Sequence, residues 1–305
     1  MYLSMRALQP KIIEWLNEDV GSGDITTENI IPQQAKTVGL IQAKQRGIVA
    51  GINVAGLVFT TLAPDIEFTP MVEDGDEVEP HTVLAKIEGD AHVILTGERL
   101  ALNLLQHMSG IATLTSSYAR LAEGTKAHVV DTRKTLPGLR MLEKYAIRVG
   151  GGRNHRMGLY DAVMIKDNHI KVAGGIKEAV RMTRNEISHT VKIEVETETL
   201  DQVKEALEAG ADIIMLDNMS IEMIEEAVAL IGGRAIVEAS GGVTKERLPA
   251  IAKAGVDIIS IGALTNSAPI LDISLDIGEI KYYDKQKPFL RGRAFLYGTK
   301  PSRIY

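Results

Sequence analysis

The 305-residue chain contains no cysteine. Disulfides and thiolate metal sites are thereby excluded, and the composition suits a reducing compartment. Nowhere do about 18 apolar residues run uninterrupted, the length a membrane-spanning helix requires. The opening segment MYLSMRALQPKIIEWLNEDV has no continuous apolar stretch behind a basic start, and acidic residues appear by Glu14. It does not read as a signal peptide. Positive charge is not in surplus either, since the formal net charge is −6. A nucleic-acid binder that neutralises a phosphate backbone usually carries a basic face. These absences lead us to expect a cytoplasmic protein with neither a membrane nor a nucleic acid as partner.

The second half alternates. Six short, apolar, β-branched runs appear at 128–133, 161–167, 191–197, 212–218, 235–242 and 257–265. Runs of this kind are what buried parallel strands look like. Between the later ones lie helical patterns with apolar residues at i, i+3 and i+4, such as TLDQVKEALEAGA and SIEMIEEAVALIGG. Glu196 to Asp217 is 21 residues, the next step to Ser240 is 23, and that to Gly262 is 22. This is the period of a repeated βα unit. The fold class expected is therefore α/β, with an open or incomplete (β/α) barrel of six to seven strands.

Before it, 37–51 alternates like a strand, and 67–91 reads as strand, Asp-Gly turn, strand, turn, strand. This suggests an antiparallel sheet. Residues 94–124 form a long apolar helical stretch broken near Gly110, which needs cover from the barrel or another subunit. The expected division is an N-terminal α/β domain with an interface helix at 1–115 and a catalytic barrel at 116–270. A C-terminal segment, 271–305, packs on the N-terminal domain. From 281 to 305 it carries seven Lys/Arg among aromatics. That tail reads as an extension, with RNA recognition as the lesser alternative.

Each strand run turns polar at its C-terminal end, at Arg133, Lys166, Glu196, Asp217, Ser240 and, after Gly262, Thr265. In (β/α) barrels the active site is built from these ends. Between 131 and 171 nine Lys/Arg face four acids. Arg140, Lys144 and Arg148 repeat at fourfold spacing and suit a helix face that pairs with Glu143 or meets solvent. Arg133, Lys134 and Lys166 instead meet at the mouth, where converging cations call for an anionic ligand. The Ser240-Gly241-Gly242 turn opens a helix, and Ser260, Ile261 and Gly262 supply a second glycine loop beside it. Both suit a phosphate. Glu196 and Asp217 could neutralise Lys134 and Lys166, or face a cationic reacting carbon, a ribose or Mg²⁺. Phosphoribosyl transfer fits this description, and a phosphate-binding aldolase or isomerase remains equally open.

The segments EDVGSGDITTE, GERLALNLLQHMSGIAT, DTRKTLPGLRMLEKYAIRVGGGRNHRMGLYDAVMIKDNHI, KIEVE, IIMLDN, EASGG and SIGALT strongly resemble the quinolinate phosphoribosyltransferase family, from about residue 10 to 277. The resemblance implies conversion of quinolinate and phosphoribosyl pyrophosphate to nicotinate mononucleotide, pyrophosphate and CO₂, with Mg²⁺, in NAD synthesis. It also implies a homodimer with shared sites, or a higher oligomer, in which Arg99 reaches into the neighbour's pocket. Arg133, His155, Arg156 and Lys166 would line the quinolinate carboxylate pocket, with Lys134 near the pyrophosphate. Glu196 and Asp217 would serve the ribose and the Mg²⁺, the ion held through substrate and water. Ser240, Gly241, Gly242, Ser260, Ile261 and Gly262 would cradle the 5′-phosphate. Lys134, Lys166, Glu196 and Asp217 form the expected catalytic set. Two positions depart from many relatives: Leu136 replaces a threonine, and Asn266 stands where a histidine is common. A phosphoribosyltransferase-like paralogue of molybdenum transport, with a different acceptor, is the alternative.

Overall fold

The computed structural model describes residues 3–278 together with 281 and 282. The tail from 283, and any role for it, lies outside the described residues.

Helix α1 (Met5–Val20) buries Leu8, Ile12 and Leu16 at helical spacing, and the Ser4 hydroxyl caps it by accepting the Ala7 N–H at 3.3 Å. Helix α2 (Ile25–Ile30) is capped in the same way by Asp24, which accepts the Thr27 N–H at 3.0 Å. Strand β1 (Ala35–Ala43) alternates buried and open residues, as a strand with one covered face must. The short β2 (Gly47–Ile48), helix α3 (Ile52–Leu62), β3 (Glu67–Pro70), β4 (Glu77–Val78) and β5 (Val83–Asp90) complete the first unit. β5 lies between β1 and β3, all antiparallel, while β4 pairs with β2 in a separate ribbon.

Two expectations fail here. The Asp74-Gly75 turn does not close a hairpin between β3 and β4, which do not pair. The Asp74 carboxylate instead accepts the N–H groups of Gly51 and Ile52, each at 2.9 Å, at the start of α3. Its other oxygen accepts the Tyr145 hydroxyl at 2.7 Å. Asp74 thus caps a helix and joins the two halves of the molecule. The helix expected to break near Gly110 is continuous, α4 (Ala91–Ala119). Gly110 marks a close approach, because a Cβ there would overlap the Pro269 carbonyl.

The six apolar runs all form strands: β6 (His128–Val130), β7 (Val163–Ile165), β8 (Ile193–Thr197), β9 (Ile213–Asp217), β10 (Ile236–Ser240) and β11 (Ile258–Ser260). They make one parallel sheet in the order β6-β11-β10-β9-β8-β7. Among the described residues β6 and β7 do not pair, so the barrel stays open between them; a bridge from Val130 to Arg153 extends the β6 edge. Helices α5 (Arg140–Val149), α6 (Asp167–Ala173), α7 (Ile176–Glu186), α8 (Leu200–Glu208), α9 (Ile221–Ile231) and α10 (Leu248–Lys253) connect the strands. After a single turn, α11 (Ala263–Asn266), the chain returns to the first unit. There β12 (Ile273–Ile277) and β13 (Lys281–Tyr282) both pair antiparallel with β1.

Candidate active site

The strands turn their C-terminal ends toward one cavity of about 780 Å³. Alternation along a strand explains which side chains enter it. Met164 and Lys166 follow one face of β7, Glu194 and Glu196 that of β8, Met215 and Asp217 that of β9, and Glu238 and Ser240 that of β10. Two tiers result. The lower is part apolar, with two buried carboxylates; the upper is polar and open to the mouth. Arg133, Lys134, His155, Arg156, Lys166, Glu196, Asp217, Ser240, Gly241, Gly242, Ser260, Ile261 and Gly262 all line the cavity, as do Asn218 and Asn266. Of the residues expected in the site, Arg99 alone is elsewhere, exposed on α4.

Two of the cations, Arg156 and Lys166, are held by the fold. Arg156 donates Nη1–H to the Ala162 carbonyl at 3.0 Å and lies near the Met164 sulfur. Burial, then the neighbouring Arg133 charge, pulls its guanidinium below the ordinary value. An anion bound between the two arginines would relieve that repulsion. Arg133 adds a buried Nε–H with no partner in the fold. Lys166 forms an ion pair with Glu196, so one of the two carboxylates does neutralise a mouth cation. Lys134 lies over Gly262, where an added Cβ would stand 3.0 Å from its Cδ. Its carbonyl accepts the Thr265 hydroxyl at 2.6 Å, which ties the first strand's loop to the last.

The expected helix face, paired with Glu143 or solvated, is corrected by α5. Lys144 and Glu143 are both fully buried, and only Arg148 faces solvent. The Lys144 ammonium pairs with Asp131 and donates to the His155 carbonyl at 3.1 Å. Asp131 also accepts the Asn154 amide at 2.6 Å and the His155 N–H at 2.9 Å. Arg140 donates to Thr135 at 2.9 Å and to the Met157 carbonyl at 3.1 Å. The helix therefore stitches the 131–136 loop to the 154–157 loop, the two that carry Arg133, His155 and Arg156. The glycines at 150–152 let the chain turn sharply after α5; a Cβ on Gly150 would overlap the Ala112 carbonyl of α4.

Glu194 and Glu238, in the lower tier, were not singled out in the sequence. Their carboxylates lie 3.2 and 3.4 Å from His155 Nε2. Burial disfavours the imidazolium, but these two carboxylates outweigh it and push His155 up to about 10. Against this, His155 Nδ1 accepts the Arg156 N–H at 2.7 Å, which favours an unprotonated Nδ1. Both observations keep a proton on Nε2, and that fixes the ring. The readable signal was a charge inside an apolar strand run, in KIEVE and AIVEAS, which is costly to bury unless something requires it.

A basic recess, paired carboxylates and two glycine loops at adjacent strand ends define an α/β enzyme that handles a phosphorylated, carboxylate-bearing ligand. Family models for the quinolinate phosphoribosyl transferase N-terminal and C-terminal domains match residues 24–109 and 111–276. A probable nicotinate-nucleotide pyrophosphorylase [carboxylating] from Bacillus subtilis is 46% identical over 260 residues, 85% of this chain and 90% of that one. A protein of the same name from Methanocaldococcus jannaschii is 46% identical over 271 residues, covering 86% and 94%. The crystal structure of NadC from Streptococcus pyogenes superposes with a TM-score of 0.88 at 40% identity, covering 93% and 100%. The chain belongs to the quinolinate phosphoribosyl transferase family.

Proposed function

We propose that this protein converts quinolinate and phosphoribosyl pyrophosphate to nicotinate mononucleotide, pyrophosphate and CO₂, a step of NAD biosynthesis. The observation that carries this reading is the adjacency of Arg133, His155, Arg156 and Lys166 to the Asp217 and Gly241–Gly242 strand ends in one cavity. The first group suits two carboxylates; the second suits a ribose and its 5′-phosphate. Guanidinium forks match carboxylates in geometry as well as charge.

With quinolinate held on the arginines, its ring nitrogen faces C1 of the ribose. The nitrogen lone pair forms the N–C1 bond as the C1–O bond breaks and its electrons leave with pyrophosphate. Glu196 and Asp217 stabilise positive charge developing at C1. Lys134, over Gly262, meets the departing pyrophosphate. The alkylated, cationic ring then accepts the electron pair left at C2 when the adjacent carboxylate departs as CO₂, and a proton completes C2. Orientation in a preformed pocket supplies much of the acceleration. Neither a serine nor a cysteine nucleophile is needed.

Two carboxylates at adjacent strand ends are hard oxygen donors of the kind Mg²⁺ takes, but they are too few for a closed resident site. Among the described residues the one cluster of three grouped metal-ligating side chains is His155, Glu194 and Glu238. Glu196 and Asp217 would therefore hold Mg²⁺ through water and substrate oxygens, where it neutralises charge on the pyrophosphate. Arg99, exposed and outside its own chain's cavity, supports a homodimer in which each chain completes the other's site. No described helix is long and apolar enough to cross a membrane. We infer a cytoplasmic location for this protein, whereas some relatives from tobacco plants carry names that place them in mitochondria.

The test is acceptor choice. With phosphoribosyl pyrophosphate and Mg²⁺, quinolinate should yield nicotinate mononucleotide, and nicotinate, which lacks the second carboxylate, should turn over at least about a hundredfold more slowly, since a site built for a charged group rejects its absence strongly. Equal use of both acceptors would contradict the carboxylate assignment.

A further inference from the structure

Asn218 follows Asp217 at the end of β9, and its backbone is left-handed (φ 55°). Among the described non-glycine residues only His81 shares that region, which asparagine tolerates better than most residues. The conformation lets one residue make three contacts. Its N–H donates to the Ser240 carbonyl at 2.9 Å, tying β9 to β10. Its side-chain Nδ2–H donates to Asp217 Oδ2 at 2.7 Å. The flat of its amide lies against Gly241, where any Cβ would overlap it. Arg247 braces the same corner from behind, donating to the Gly242 carbonyl at 3.0 Å and the Met219 carbonyl at 3.3 Å.

One amide thus touches both the carboxylate assigned to the ribose and the glycine loop assigned to the 5′-phosphate. We propose that Asn218 is a positioning residue that fixes these two at one separation, and so selects a ligand carrying ribose and 5′-phosphate together. The inference rests on the assignment of those two ends under the proposed function. Asn218 neither contacts the cations of the acceptor end nor supplies a charge. Its loss should therefore be felt on one substrate only.

Asn218→Gly keeps the left-handed backbone and deletes the amide; Asn218→Asp keeps the shape but sets a second carboxylate, with no N–H, against Asp217. The measurements are steady-state kinetics, inhibition by ribose 5-phosphate and by inorganic phosphate, and quinolinate affinity by calorimetry. Both variants should lose roughly 10- to 100-fold in kcat/KM for phosphoribosyl pyrophosphate, the scale of a small misplacement near a reacting centre. Ribose 5-phosphate inhibition should weaken about tenfold while phosphate inhibition and the quinolinate Kd stay within about twofold of wild type. A kcat/KM within about threefold of wild type in both variants would overturn the proposal, as would a parallel loss of quinolinate affinity, since that marks general damage. A wild-type protein inert toward both substrates would instead sink the functional assignment.

Discussion

Lys144→Met tests whether α5 organises the acceptor end. The methionine keeps most of the stem and removes the ammonium. Lys144 and Asp131 are both fully buried, so the change strands a carboxylate that keeps only two neutral donors, Asn154 at 2.6 Å and His155 N–H at 2.9 Å. Breaking a buried pair from one side costs about 3–5 kcal/mol. For a chain of 305 residues that corresponds to a fall in Tm of roughly 5–8 °C. Quinolinate KM should rise as well, because the His155 carbonyl loses its donor and the neighbouring loop loosens. The double change Asp131→Asn with Lys144→Met removes both charges and should recover at least half of the lost stability. Calorimetric melts of the three proteins decide it. A fall below about 2 °C in Lys144→Met, with no gain in the double variant, would refute the burial argument.

Three further outcomes are expected. Gly110→Ala gains about 1 kcal/mol of helix propensity but drives a methyl into the Pro269 carbonyl, so urea melts should show net destabilisation of about 1–3 kcal/mol; a stabilised variant would contradict the close approach. At Asp212, burial would raise the carboxyl, yet the Ile193 N–H at 2.8 Å and Arg184 at 2.7 Å hold it below its ordinary 3.8. Its contribution is thus full above that ordinary value and lost as pH falls through the lowered one, and Asp212→Asn should flatten the acid limb of stability against pH. Mixing Arg99→Ala chains with Arg133→Ala chains should restore part of the activity, since a mixed dimer contains one intact site; no recovery in verified mixed dimers would rule out shared sites.

The six strands of the barrel were legible because buried parallel strands leave uninterrupted apolar runs. The upper tier of the site was legible because those runs end in polar residues at a fixed period. The failures share one cause, which is that local signals do not report tertiary partners. Asp-Gly is a strong hairpin signal, yet Asp74 caps α3 and holds Tyr145. Fourfold spacing in 140–148 marks a helix face without saying which way it looks, and Lys144 looks inward to Asp131. Gly110 reads as a breaker until Pro269 is seen against it. Glu194 and Glu238 hid inside strand runs, and Asn218 hid beside the charged Asp217. Family resemblance pointed to Arg133, His155, Arg156 and Lys166, which line the cavity; it did not show Asp131 and Lys144 behind them.

The central claim is that one cavity joins a dicarboxylate to a phosphoribosyl group and then releases CO₂. Its most direct measurement is the yield of CO₂, pyrophosphate and nicotinate mononucleotide from quinolinate by the purified protein. The account predicts the three in equal amounts, with none when phosphoribosyl pyrophosphate is omitted or Mg²⁺ is chelated. CO₂ released without phosphoribosyl pyrophosphate, or pyrophosphate released from quinolinate mixtures without CO₂, would contradict it.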